Sequence, residues 1–441
     1  MTADEAMQLV RAQVPWWVPW FPVLSALSMF VAGWLLGRIA VAMGLARFRR
    51  TPTDAPWTER ARAATTARVL ASQSLLYAII VGVIGARSGL LGVISRGEAM
   101  AVGAVAAVVG AAVARGHLED ALGLKRTRRG SGIGLLLALY ATLPTTVLVG
   151  AIAMQLDTVS AILLWVLGGL LLAGWLRALS VPALRAFGAA SAAPERVHAI
   201  VARACEKVGM RPPETIVLHM RMANAYAFPF AGALAFTDPI LETLDDAGLE
   251  AITLHELGHL QEPPRIVAFR AMRVGLNYAL ALCGVLWRFG PVPSLVLSLV
   301  VLVLALWSRR QLARLEVAAD AVAHDHGEEG ALALALARVY ERNLSPMVSA
   351  RVGTHPHLYD RLIAAGAAPA YPRPAPPEAA RVLRFALFAV TALFVFGIYA
   401  AIAWRDPLEL LATTRHCDAL SQASPPLPSA IASYVATACD P

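Results

Sequence analysis

Read by its hydrophobic and polar positions, the chain alternates long apolar runs with short basic loops, except in two soluble-looking stretches. Apolar runs cover 19–44, 69–94, 100–113, 133–154 and 159–179, the third short and rich in alanine and glycine. About 20 apolar residues in a helix span the hydrocarbon core, so these five read as membrane helices. Their small residues, such as Gly103, Ala107 and Gly110, allow close helix packing in lipid. Residues 266–307 are again mostly apolar, interrupted near Arg288, Gly290, Pro291 and Pro293, which predicts two spans joined by a tight turn. A last run covers 382–404, giving about eight spans.

Between these runs the period changes. Residues 194–208 read as an amphipathic helix and 215–220, TIVLHM, as a β-branched strand. Alternation through Asn224, Tyr226 and Phe228, a turn near Gly232 and a second run to Phe236 predict a β-hairpin. Asp238-Pro239 then starts a helix. The stretch LEAITLHELGHL, 249–260, reads as a further helix with Asp246 as N-cap, stopped by Pro263 and Pro264. After the second apolar hairpin come a helical ARLEVAADAVAHDHG, a helix at 330–343 and the segment VGTHPHLYDRL.

The organisation expected is a membrane region at 1–188 and the first part of a soluble domain at 189–265. A membrane hairpin at 266–308 and the second part of the domain at 309–372 follow. A linker at 373–381, a last span at 382–404 and an extracytoplasmic tail at 405–441 complete it.

Composition agrees: the chain is 58% hydrophobic and 15% charged with mean hydropathy +0.60. A soluble domain carries about 25% charged residues. The net charge of +8 sits in loop clusters such as Arg47, Arg49, Arg50, Arg60, Arg62 and Arg68 or Lys125, Arg126, Arg128 and Arg129. There it acts as a topology signal rather than a nucleic-acid surface, and no nucleic-acid motif is present. The positive-inside rule puts both N-terminal basic loops, and so the segment after Leu179, in the cytoplasm. Arg309 and Arg310 return the chain to that side, and the last span carries the tail out. Cys417 and Cys439 would then lie in an oxidising compartment and could pair, the alternative being two free thiols in a cytoplasmic tail. Cys205 and Cys283 read as small apolar residues.

The candidate chemistry centres on His255, Glu256 and His259. Positions i and i+4 share one face of a helix, so two imidazoles reach one metal ion, with Glu256 beside them as a base. Two histidines leave a zinc site one protein ligand short, and Glu316, opening EVAAD, is the candidate third. Pairing of Glu316 with Arg310 or Arg314 is the competing reading. Asp320 lies one turn further, placed to orient a ligand. His324 and His326 are expected to follow a helix end, and His198 and His219 to be ordinary histidines. The hairpin before HELGH is either structural or an edge for an extended peptide.

HELGH, then RLEVAAD after an apolar hairpin, then THPHLYDRL, resembles the membrane-integral zinc metallopeptidases that include HtpX-type proteases and CAAX prenyl endopeptidases. NAYAF with TDPILETL upstream fits the same pattern, so the likeness covers 194–362. It implies a mainly α, polytopic membrane protein with a small α+β gluzincin-type zinc peptidase domain. By that likeness His255, His259 and Glu316 bind zinc, Glu256 is the general base, and Asn224 and Ala225 lie on the substrate-binding strand. His355 and Arg361 match its downstream positions and are implied to bind substrate or the oxyanion. The function expected is a zinc endopeptidase of a bacterial inner membrane, acting on membrane or membrane-associated polypeptides with its site in the cytoplasm. The alternatives weighed are a metallopeptidase-type signal transducer, which calls for a sensor domain, and a transporter, which calls for charges within spans.

Overall fold

A computed structural model of the chain describes residues 21–85, 96–124, 142–153, 156–349, 356–369, 371–377, 381–393 and 395–396. The N-terminal half is helical: α1 (Phe21–Arg49), α2 (Trp57–Gly85), α3 (Arg96–Ala121), α4 (Thr142–Ala153) and α5 (Thr158–Gly174). The Asp157 carboxylate caps α5 by accepting from the Val159 and Ser160 amides, both at 3.0 Å. After a π-turn at Trp175–Leu179 the chain continues as α6 (Ser180–Ala186).

Among the described residues, four helices are long and apolar enough to cross a membrane: Ala26–Arg49, Trp57–Gly82, Thr158–Ala186 and Pro291–His326. Along the last two, leucines and valines such as Leu163, Leu167, Leu170, Leu295, Leu299 and Leu302 are exposed, as lipid-facing side chains would be. Eight spans are not reached. The runs at 69–94, 133–154 and 382–404 lie partly outside the described residues, and the basic segment 125–129 wholly outside them. The expected first basic loop is largely helical instead: Arg47 and Arg49 end α1, and Arg60, Arg62 and Arg68 lie in the first turns of α2, leaving only a short turn between the two helices. Cys417, Cys439 and the tail lie wholly outside them.

The second predicted hairpin departs from expectation in its first arm. α7 (Glu195–Val208) belongs to the soluble part and α8 (Asp238–Thr243) and α9 (Asp246–Leu260) lead up to that arm. α10 (Pro264–Ala279) then gives way to a 3-10 turn (Leu280–Leu282), α11 (Cys283–Leu286) and another 3-10 turn (Trp287–Phe289). Three arginines, Arg265, Arg270 and Arg273, interrupt its apolar pattern. The second arm is one continuous helix, α12 (Pro291–His326), of 36 residues. It carries an apolar stretch directly into EVAAD, so His324 and His326 form its last turn rather than following its end.

By internal contacts the chain forms two units. The first holds Met1–Leu36, Ser74–Ala111 and Phe385–Pro441. Within it a Cβ on Gly33 would come 1.9 Å from the Ala107 carbonyl oxygen, and one on Gly110 2.1 Å from that of Phe30. Small residues therefore let α1 and α3 meet backbone to backbone, as their sequence suggests.

The second unit holds Gly37–Gln73 and Ala112–Arg384. Its sheet has strands β1 (Ala190–Ala192), β2 (Glu214–Leu218), β3 (Ala225–Phe228) and β4 (Ala233–Thr237), in the order β1-β2-β4-β3. β2 and β4 are parallel, while β3 and β4 form the predicted antiparallel hairpin with β3 at the sheet edge. α9 packs its Leu249, Ile252, Leu254 and Leu257 among Val197, Ile200 and Val201 of α7 and Leu234 and Phe236 of β4. Its N-cap is Asp245 rather than Asp246: Asp245 is extended and accepts from the Gly248 amide at 2.9 Å. Asp246 lies in the first turn and pairs with Arg196 at 2.7 Å. α13 (Ala331–Arg342) and α14 (Leu358–Ala364) complete the unit.

Gly258 decides how near α12 comes to α9. A Cβ there would meet Ala319 Cα at 3.0 Å and Ala319 Cβ at 3.3 Å. The missing side chain lets the two helices approach closely one turn from Glu316.

Candidate metal centre

His255 and His259 stand one turn apart on α9 with ring centroids 5.0 Å apart and planes at 88°. Glu316 on α12 faces both. Its Oε2 is 3.6 Å from His255 Nε2 and its Oε1 is 3.6 Å from His259 Nε2. One atom from each of the three residues falls within 4.8 Å of the others, and all three residues are buried. The alternative pairing of Glu316 with Arg314 is not seen, since Arg314 is exposed and bonds Gln311.

Each imidazole is held from behind by a carboxylate. His255 Nδ1 lies 2.9 Å from Asp320 Oδ1, and the Arg361 guanidinium bonds the same oxygen. His259 Nδ1 lies 3.0 Å from Glu262 Oε1, and Arg270 Nε donates to the other oxygen of Glu262 at 2.6 Å. Glu262 hydrogen-bonds the Nδ1 of His259, while Asp320 approaches that of His255 closely without an aligned hydrogen bond; both Nε2 atoms face Glu316.

The electrostatics call for a cation. Four carboxyl groups, those of Glu256, Glu262, Glu316 and Asp320, stand around the two imidazoles, against two guanidinium groups, those of Arg270 and Arg361. Burial favours a neutral His259 ring, but Glu262 and Glu316 outweigh it and push its pKa up to about 9. At His255 burial likewise acts downward, and Asp320 and Glu316 raise the pKa against it. A divalent ion would replace those protons. Two imidazole nitrogens and a carboxylate with an open fourth position suit tetrahedral zinc, so the donor set fits.

Glu256 points toward the edge strand. Its Oε2 accepts a hydrogen bond from the Ala227 amide at 2.7 Å. Asn224 is committed to β4: Thr237 N donates to its carbonyl at 3.0 Å, and its own amide donates to Thr237 Oγ1 at 2.8 Å. Strand alternation then turns the backbone groups of Ala225 and Ala227 away from β4. Asn224 is exposed and Ala225 buried, so the two expected substrate residues differ in what they present.

The structure thus brings together His255, Glu256, His259, Glu316, Asp320 and Arg361. Arg361, implied by the resemblance to work on substrate, has its guanidinium on Asp320 and is 8% exposed. His355 lies outside the described residues. His219 is buried and pairs with Asp238 at 2.8 Å. Sequence reasoning missed Glu262 and Arg270. The available signal was a glutamate three residues after the second histidine, followed eight residues later by arginine in an apolar run.

Residues 191–368 match peptidase family M48. A protein named Protease HtpX homolog from Picrophilus torridus is 43% identical over 65 residues, 14% of this chain and 21% of that relative. A second of the same name, from Aeropyrum pernix, is 36% identical over 70 residues, 15% of this chain and 22% of the relative. The chain spans about a fifth of the length of these curated relatives. The resemblance read from HELGH, RLEVAAD and THPHLYDRL therefore holds over the matched stretch as an HtpX-type M48 likeness.

Proposed function

We propose that this chain is a zinc-dependent membrane endopeptidase, embedded in a bacterial inner membrane with its active site on the cytoplasmic side. The observation that carries the reading is the convergence of His255 Nε2, His259 Nε2 and Glu316 beside a glutamate fixed by an edge-strand amide. His255, His259 and Glu316 would hold the ion, which when bound supplies Lewis acidity for a water and for the scissile carbonyl. Glu256 accepts the proton that the attacking water loses and delivers it to the departing amine. The Ala227 amide holds one oxygen of Glu256 and leaves Oε1 for that proton. A polypeptide substrate lies along β3, extended, with the Ala225 and Asn224 region binding it by strand addition. Asp320 orients His255, and His355 and Arg361 act toward the substrate oxyanion, Arg361 also bracing Asp320.

The cytoplasmic placement rests on the basic clusters at 47–68 and 125–129 and on the four apolar helices. It entails an extracytoplasmic tail in which Cys417 and Cys439 can pair. Substrates are membrane or membrane-associated polypeptides because the site sits on a chain held at the bilayer.

Glu256→Gln tests the reading. The amide keeps the shape and cannot accept the proton, so casein cleavage by the purified protein falls about 10²-fold or more. Zinc content stays at the wild-type level. Near-normal cleavage by Glu256→Gln would remove the mechanism.

A further inference from the structure

The edge strand beside Glu256 is tied, through Asn343, to helices outside the stretch 191–368 that matches the peptidase family. Its approach, Met220–Asn224, is clamped by one side chain. The Asn343 carboxamide accepts from the Ala223 amide at 2.8 Å and donates to the Ala223 carbonyl at 2.7 Å, both bonds buried. Asn343 is the C-cap residue of α13, and the turn after it is unusual. Leu344 adopts φ 47°, the single positive φ on a non-glycine among the described residues. Its amide reaches the Glu341 carbonyl at 3.0 Å, and Ser345 N reaches that of Tyr340 at 2.8 Å. This is a Schellman ending with leucine at the position glycine usually takes.

A left-handed backbone is unfavourable for leucine, so something must hold it there. Two things do. The Leu344 side chain is buried among Val41, Leu45, Ala64, Ala67 and Leu118 of the N-terminal helices. Arg68 on α2 then takes two successive carbonyls of the turn, donating from Nη2 to Asn343 O at 2.8 Å and from Nη1 to Leu344 O at 2.9 Å. Arg68 is itself set by Glu119 on α3, at 3.2 Å from Nε and 3.0 Å from Nη2. Both side chains are about one-sixth exposed, at 15% and 16%. A second tie reaches the same loop: Arg221 bonds Gly116 O at 2.6 Å and Asp120 at 2.8 Å.

We propose that Arg68, braced by Glu119, is a positioning residue for substrate, fixing the edge strand through Asn343 and Ala223. The N-terminal helices then contribute to peptide binding as well as to anchorage. The fork geometry explains why arginine stands there, since one lysine ammonium cannot span a bidentate carboxylate and two successive carbonyls. The proposal rests on the reading of β3 as the strand along which the peptide lies.

The test uses the full chain in detergent, with an internally quenched casein-derived peptide and with amide hydrogen exchange. Arg68→Met should raise KM about fivefold or more, with kcat within about twofold and zinc content unchanged. Deuterium uptake should rise over 222–229 and stay at wild-type level over 246–260. Asn343→Asp, which keeps the acceptor for Ala223 N and loses the donor to Ala223 O, should give the same pattern. Glu119→Gln should give a weaker form of it and serves if Arg68→Met fails to fold. Unchanged exchange at 222–229 overturns the proposal whatever the kinetics do. So does a rise that spreads equally over the zinc helix, or a loss of zinc that tracks kcat while KM holds. A wild type that cleaves nothing removes the peptidase reading, and the exchange comparison still decides the positioning.

Discussion

The two histidines of α9 are backed by the same device built in two different ways. Behind His255 stands Asp320 with Arg361, and behind His259 stands Glu262 with Arg270. The first support is assembled from three separate helices. The second is nearly local, with the carboxylate three residues from its histidine and the arginine eight residues beyond that. Their cations differ in setting: the Arg361 side chain is 8% exposed and Arg270 23%. A guanidinium with access to water tolerates loss of its partner, while a buried one left alone pays the full desolvation cost. The two imidazoles thus have carboxylates at nearly equal distances, 2.9 and 3.0 Å, and unequal dependence on what lies behind them.

The largest effect comes from the group both share. Glu316 reaches His255 and His259 at equal distance, so Glu316→Ala strips both imidazoles of their common partner at once. Zinc content measured by metal analysis should fall well below one per chain, with activity lost. Glu328→Ala, on the loop after α12, should leave zinc content intact. Equal occupancy in the two variants would move the third ligand elsewhere and break the symmetry on which the comparison stands.

How much of this was legible follows from distance along the chain. The i, i+4 histidines, their neighbouring glutamate and the β3–β4 hairpin are local patterns, and each is where the sequence put it. Glu316 and Asp320 could be placed on one face from the sequence because EVAAD reads as helical and four residues make one turn, a pattern that α12 carries. Glu262 escaped because it sits past the end of α9, where no helical periodicity ranks its position, and next to prolines that mark a stop. Arg270 escaped because it lies inside an apolar run that reads as a membrane arm. Arg68 and Asn343 could not be paired from sequence at all, since 275 residues separate them. The N-cap moved by one residue because Asp245 and Asp246 have the same capping chemistry and only backbone conformation tells them apart.

The next effect in size separates the two supports. Asp320→Ala leaves the buried Arg361 without its partner and frees His255 to turn. Zinc affinity, measured by competition with a chelator, should weaken about 10- to 100-fold. Glu262→Ala should weaken it less, about threefold to tenfold, because Arg270, whose side chain is 23% exposed, can turn to solvent. The order matters more than either value. If Glu262→Ala costs as much as Asp320→Ala, exposure of the cation does not set the difference, and the near identity of the histidine geometry does.

The smallest expected effect tests the arginine itself. In Arg270→Lys the charge beside Glu262 remains, while the two-point contact through Nε and Nη2 is lost. Glu262 is 7% exposed and keeps its bond to His259, and its carboxyl stays below the ordinary range as long as a cation stands next to it. Desolvation acts to raise that carboxyl, and the charge and hydrogen bonds of Arg270 act against it. A lysine supplies the charge with one donor fewer in place, so zinc affinity should change by less than about threefold. The same substitution at Arg361 should cost more, since a lysine there must desolvate a more strongly hydrated ammonium in a nearly closed setting. Chelator competition on the pair of lysine variants reads the difference directly. Equal losses would mean that fork geometry, and not burial of the cation, is what each histidine requires from the arginine behind it.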